Sequence, residues 1–160
     1  MSLSTNDLLE RVAKLEALNT HLTFRISRMA KLLEVEGAER LAGSGINLTA
    51  YRMMLVIQVF GEISVSDLSR IMLIDRAQVS RAGADLIERG LVEARADRIS
   101  KRKKLLALTT EGEAVYIELR ARFDARETAL TETIGDDLEA LWTSVNRISD
   151  WLEAEAPAEE

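Results

Sequence analysis

Two helix-start signals in close succession constrain this chain more than any other feature. Ser64-Val65-Ser66-Asp67 supplies a hydroxyl to cap a helix and an acid for its first turn, and Leu68, Ile71 and Met72 follow on one face. Asp75-Arg76-Ala77-Gln78 repeats the signal as an Asp-x-x-Gln capping box. Val79, Ala82, Leu86 and Ile87 then recur at helical spacing until Gly90 closes the segment. Only a few residues separate the two helices. So short a connection lets the first helix brace the second, and Gln78, Ser80 and Arg81 near the N-terminus of the second are suited to the major groove of a duplex.

The next stretch alternates and then changes sign. Leu91 to Ala96 and Lys104 to Thr109 read as two strands around a polar turn. From Glu93 to Lys104 six cations (Arg95, Arg98, Lys101, Arg102, Lys103 and Lys104) face two acids (Glu93 and Asp97), in a chain of net charge -6. Charge is unevenly shared along the chain: residues 1–110 carry a net +4 and residues 111–160 a net -10. Phosphates respond to the nearby field, because salt screens remote charges within about 10 Å. The basic turn therefore implies a polyanion partner despite a sequence pI near 5.0.

Three motifs in this order carry a family resemblance: Asp75-Arg76-Ala77-Gln78-Val79-Ser80-Arg81, then Leu86-Ile87-Glu88-Arg89-Gly90-Leu91-Val92-Glu93, then Leu106-Ala107-Leu108-Thr109-Thr110-Glu111-Gly112. Together they resemble the recognition helix, wing and following helix of the MarR family of winged helix-turn-helix transcriptional regulators. The resemblance implies a mostly α fold with a small β-wing (α+β), flanked by long N- and C-terminal dimerisation helices. Two departures stand out. Where the family has Asp-x-Arg in the wing, this chain has Ser100-Lys101-Arg102, with Asp97 as the nearest alternative acid. Ala82 and Gly83 stand in the recognition helix where larger residues are common, so that face packs either closer or more loosely.

Residue types suggest the division of labour at the DNA. Gln78 suits bidentate bonding to adenine, although it also fits as the partner of Asp75 in the capping box, and Arg81 reaches guanine or phosphate. Ser80 offers a short contact, while Arg76 suits phosphate at the helix start. Ser66 suits a phosphate near its own helix N-terminus, or serves only its own backbone. In the wing, Arg102 suits the narrow minor groove, and Arg98, Lys101 and Lys103 suit phosphates, which position the protein without specifying sequence.

Flanking segments read as apparatus for pairing two copies. Asn6 to Leu33 carries Leu8, Leu15, Leu22 and Met29 at intervals of seven, interleaved with Val12, Asn19, Ile26 and Leu33. With no proline or glycine inside it, it reads as one unbroken helix, with a buried amide at Asn19. Such a helix either crosses to a second subunit or folds back within its own. Glu36 to Asn47, with Gly37, Gly43, Ser44 and Gly45, reads as a flexible connection, and Thr49 as the cap of the next helix, which Gly61 ends. Thr110-Glu111-Gly112-Glu113 reads as a further capping box. The helix after it, with Val115, Leu119, Phe123 and Leu130 inward, lasts to about Ile134. Beyond Gly135, Leu138, Leu141, Val145, Ile148 and Leu152 mark a second apolar seam, with Trp142 and Trp151 beside it.

The whole, residues 1–160, reads as a single MarR-like unit, with dimerisation helices at 6–35 and 111–153 and the winged helix-turn-helix at 49–108. Expected interface residues are Leu8, Val12, Leu15, Leu22, Leu138, Leu141, Val145, Ile148 and Leu152. Two-fold symmetry would set the recognition helices about 34 Å apart on a pseudo-palindromic duplex.

Other functions find less support. The chain has no cysteine and one histidine, His21, so thiol chemistry and disulfides are excluded and no metal site or cofactor is expected. No catalytic constellation can be assembled, and the chain reads as a non-enzyme. Without a signal peptide or an apolar run of spanning length, a cytoplasmic location is expected. Family resemblance implies a small-molecule effector, often an aromatic acid, bound between the dimer helices and the winged helix. By position His21, Arg25, Arg28, Tyr51 and Arg52 are the candidates to line that crevice, the arginines pairing a carboxylate. The expected function is that of a homodimeric repressor of transcription. The competing class is a winged-helix protein-interaction module that dimerises without binding DNA.

Overall fold

The computed structural model describes residues 5–96 and 104–155, omitting the side chains of residues 5–9, 11 and 13. It divides into two compact units, Met1–Leu119 and Arg120–Glu160. The first is built around α3 (Leu48–Phe60), an apolar helix whose Met53, Met54 and Ile57 are fully buried. Burial of each such side chain stabilises the unit by about 1.5–3 kcal/mol. Around α3 lie α2 (Leu22–Arg40), α4 (Val65–Met72), α5 (Arg76–Glu88) and strand β3 (Lys104–Leu108). Leu68 of α4, Val79 and Leu86 of α5, and Leu106 of β3 complete the core.

The sheet has three antiparallel strands in the order β1-β3-β2, with β1 at Ile63–Ser64 and β2 at Val92–Ala96. Val92 pairs with Leu108 and Ala96 with Lys104, so β2 and β3 form the expected hairpin. Strand β1 went unforeseen, because two residues are too short a run to show alternation.

The sequence expectation fails at four boundaries, each for a local reason. The N-terminal segment is two helices, α1 (Thr5–Asn19) and α2, rather than one helix through Leu33. At the break the Thr20 hydroxyl donates to the carbonyl of Ala17 at 2.7 Å, and His21 takes an extended conformation. Asn19 is accordingly the last residue of α1, exposed in the single chain. Secondly, α2 continues through Gly37, which is buried in its last turns, and stops only after Arg40. Thirdly, Asn47 rather than Thr49 caps α3, its side chain accepting from the Ala50 amide at 2.9 Å. Fourthly, Thr109 rather than Thr110 caps the helix after the hairpin, α6 (Thr110–Ile134), accepting from the Gly112 amide at 3.0 Å.

Gly112 is fixed by close approach. A Cβ at this position would lie 1.9 Å from the Leu91 carbonyl oxygen, so no side chain fits. Thr109 closes the same junction by donating to the Gly90 carbonyl at 2.7 Å.

Within the second unit, the last part of α6 leads through a 3-10 turn at Gly135–Asp137 into α7 (Leu138–Glu155). The α7 seam is open to solvent in the single chain: Leu141 and Val145 are each 41% exposed. No helix among the described residues is long and apolar enough to cross a membrane.

Candidate nucleic-acid interface

Helix α5 has one sealed face and one open face. Val79, Gly83 and Leu86 are buried, whereas Arg76, Gln78, Ser80 and Arg81 are all exposed. A Cβ at Gly83 would meet Leu106 at 3.4 Å and Met53 at 3.5 Å, ordinary contact distances, so the sealed face leaves room for a methyl group there rather than closing over the glycine.

Both ends of α5 are defined by hydrogen bonds. Asp75 accepts from the amides of Ala77 at 2.9 Å and Gln78 at 3.1 Å. The Gln78 side chain makes no hydrogen bond among the described residues, so the reciprocal half of the capping box is not formed and its amide is left for another partner. At the other end Gly90 takes a φ of +71°, and the Leu91 amide donates back to the Leu86 carbonyl at 2.9 Å. These bonds satisfy end groups that a bare helix leaves open.

The turn between α4 and α5 contains a residue that the sequence did not mark. Leu73 adopts a left-handed conformation at φ 51° while remaining 88% exposed. Ser69 holds the turn by donating its hydroxyl to the Ile74 carbonyl at 2.7 Å. Ahead of it, Ser64 caps α4 by accepting from the Asp67 amide at 3.2 Å; Ser66, in the first turn, is half-buried.

The hairpin begins beside this helix pair. Arg98, Lys101, Arg102 and Lys103 lie outside the described residues, as do Asp97 and Ser100. Arg95 is described, and it is engaged: it donates to Glu62 at 2.9 Å and to Glu93 at 2.8 Å. These carboxylates, Glu62 first, hold the Arg95 pKa above its ordinary value. A second engaged cation, assigned no role from the sequence, is Arg89, which donates to the Gly45 carbonyl at 2.6 Å.

The effector candidates do not form one cluster. Arg25 and Arg28, with Asn19, Ile26, Met29 and Leu32, line an open groove of about 560 Å³ at the start of α2. His21 is exposed at the α1–α2 break. Arg52 is exposed near Glu34, whose carboxyl is held below its usual range chiefly by Lys31 at 2.8 Å, with a smaller contribution from Arg52. Tyr51 is buried, its ring stacked on Tyr116 with centroids 6.1 Å apart. Among the expected interface residues, Val12, Leu15, Leu22, Leu141, Val145, Ile148 and Leu152 are exposed in the single chain and Leu138 is half-buried; the Leu8 side chain lies outside those described.

Residues 44–103 match the model of the MarR family. Over 119 residues the chain is 26% identical to an uncharacterized HTH-type transcriptional regulator, YwoH, of Bacillus subtilis (strain 168), covering 74% of this chain and 86% of that one. Over residues 44–103 the chain resembles the MarR family of regulators. Solved structures of MarR-family regulators share its fold. A MarR/EmrR family transcriptional regulator from Acinetobacter sp. ADP1 superposes with a TM-score of 0.78 at 24% identity, over 86% of this chain and 98% of that one. CouR from Rhodococcus jostii RHA1, bound to p-coumaroyl-CoA, gives a TM-score of 0.72 at 26% identity, over 89% of this chain and 98% of that one. The transcriptional repressor CouR bound to a 23-mer DNA duplex gives 0.72 at 19% identity, over 93% of this chain and 99% of that one.

Proposed function

We propose that this chain is a MarR-family regulator, a homodimeric, cytoplasmic repressor that binds a pseudo-palindromic DNA duplex and releases it when a small aromatic acid binds. The open face of α5 carries the reading. Arg76, Gln78, Ser80 and Arg81 project from a helix whose opposite face is sealed into the core. Such a helix can enter a major groove without exposing apolar surface. Gln78 and Arg81 read base edges, Ser80 makes a short contact, and Arg76 and Ser66 hold phosphate. Arg102 enters the minor groove while Arg98, Lys101 and Lys103 meet the flanking phosphates.

Dimerisation is supported by the exposed apolar seams of α1, α2 and α7, which remain wet in a single chain. A second copy would bury them and supply the second recognition helix. The effector reading draws on two structures of this fold, CouR from Rhodococcus jostii RHA1 bound to p-coumaroyl-CoA and a transcriptional repressor named CouR bound to a DNA duplex. Arg25 and Arg28 are the groups in this chain suited to a ligand carboxylate, and His21, Arg52 and Tyr51 stay candidates at lower weight. The ligand acts only if it binds more tightly to a dimer with wrongly spaced recognition helices.

Anisotropy with mixed genomic duplex fragments at two salt concentrations tests the proposal. Tight binding that weakens steeply with salt, and in Arg81→Ala and Arg102→Ala, is expected. Failure of the folded dimer to bind at low salt would return the chain to the class of protein-interaction modules.

A further inference from the structure

A wing is useful only if its cations reach the duplex in a fixed orientation, and a two-stranded ribbon is by itself a weakly held element. In the MarR family that this sequence resembles, an aspartate precedes the wing arginine by two residues. Here Ser100 stands there and offers no carboxylate. The carboxylates lie instead at the root of the ribbon. Arg95 of β2 pairs in register with Leu105 of β3, which pairs in turn with Ser64 of β1. Its guanidinium passes over that middle strand to Glu62, immediately before β1, donating at 2.9 Å. Its Nε donates to Glu93 on its own strand at 2.8 Å, and its remaining terminal nitrogen bonds to the same carboxylate.

We propose that Arg95 is a positioning residue for the wing: by joining Glu62 to Glu93 it fixes the root of β2 against the turn that ends α3. The inference rests on the DNA-binding reading given above. Two features favour it over a direct phosphate contact. One cation between two carboxylates leaves the cluster with a net charge of -1, which repels phosphate. All three guanidinium nitrogens of Arg95 are also already directed at these two partners. The location suits a brace as well. The next pair, Ala96 with Lys104, is the last described before the basic turn, so a small rotation at Arg95 would be magnified in the cations beyond it. Glu62 is aimed by Gly61, whose φ of +75° closes α3 just before it. As a half-exposed ion pair the brace adds little to stability, and its effect is on orientation.

The test uses the full chain with a duplex selected from random sequence on the unmodified protein, comparing Glu62→Gln, Arg95→Gln and the double variant. Glu62→Gln should weaken binding about fivefold, Arg95→Gln at least as much, and the double no further than Arg95→Gln, because losing Arg95 already severs the link to Glu62. The dependence on salt should stay unchanged, since no phosphate contact is lost. The thermal midpoint should also stay unchanged. A nitroxide at Ala96→Cys, unambiguous in a chain without cysteine, should become more mobile in both single variants. If Arg95→Gln lowers the salt slope by about one while Glu62→Gln binds as tightly as before, Arg95 is a phosphate contact and the brace is refuted. An unaltered nitroxide spectrum would refute it too. If the unmodified chain selects no duplex at all, the DNA-binding reading fails and takes the brace with it.

Discussion

The guanidinium of Arg89, one residue past α5, donates to the carbonyl of Gly45 at 2.6 Å and so ties the end of α5 to the turn that follows α2. It stands only 3.9 Å from Asp85 as well, which holds it over the helix end. Arg89→Ala should lower unfolding stability by about 1 kcal/mol, read from urea titration. Arg89→Lys should recover less than half of that loss, because an ammonium lacks the planar fork. Equal stability in all three proteins would show the bond to be incidental.

Two glycines in neighbouring helices should respond oppositely to the same substitution. At Gly83 a Cβ meets Leu106 and Met53 at ordinary contact distance, so Gly83→Ala gains helix propensity and stabilises the fold by up to about 1 kcal/mol. At Gly112 the Cβ meets backbone at 1.9 Å, so Gly112→Ala should cost about 3 kcal/mol or more. Thermal melts of both variants check the contrast, which disappears if the α6 junction can relax.

Leu73 spends a left-handed conformation on a side chain that is 88% exposed and packs against little. The left-handed region costs an ordinary residue about 1–2 kcal/mol, and glycine returns part of that gain through its freer unfolded chain. Leu73→Gly should therefore raise stability by about 0.5 kcal/mol in denaturant titration. Leu73→Val, β-branched at the same φ, should lower it.

The apolar seams give the fourth expectation. Leu15 is 59% exposed and Val145 41% exposed in the single chain. Sedimentation should report a dimer that Leu15→Lys and Val145→Lys each shift toward monomer, by about tenfold or more in dissociation constant, since each places a charge in an apolar contact. A chain that sediments as a monomer before any substitution would remove the basis of the symmetric reading.

Much of this was legible from residue patterns, and the exceptions share a cause. The α5 and α4 starts, the hairpin and the α6–α7 break announce themselves through capping residues, alternation and Gly135, all of them local signals. The broken first helix does not. Leu8 to Leu33 keeps its heptad spacing across Thr20-His21, and periodicity cannot register a helix that stops and resumes nearly in phase. Gly37 misleads in the opposite direction, because a buried position in α2 tolerates a glycine that an isolated helix would not. Asn47 and Thr109 each displaced an equally plausible neighbour, as caps compete within a residue or two and composition alone does not choose. At the candidate interface, exposure of Arg76, Gln78, Ser80 and Arg81 follows from the apolar period of α5. The engagement of Arg89 with Gly45 and of Arg95 with Glu62 does not, for these two partners lie far away in sequence.

The junction at Gly112 has a consequence for how such a chain can vary. Every single-base change in a glycine codon that yields another amino acid adds a Cβ, and here each would drive it into the Leu91 carbonyl. Neutral drift is thus closed at this codon, whatever the neighbouring surface does. A lineage could alter the open face of α5 or the exposed seam of α7, and still inherit this one contact unchanged.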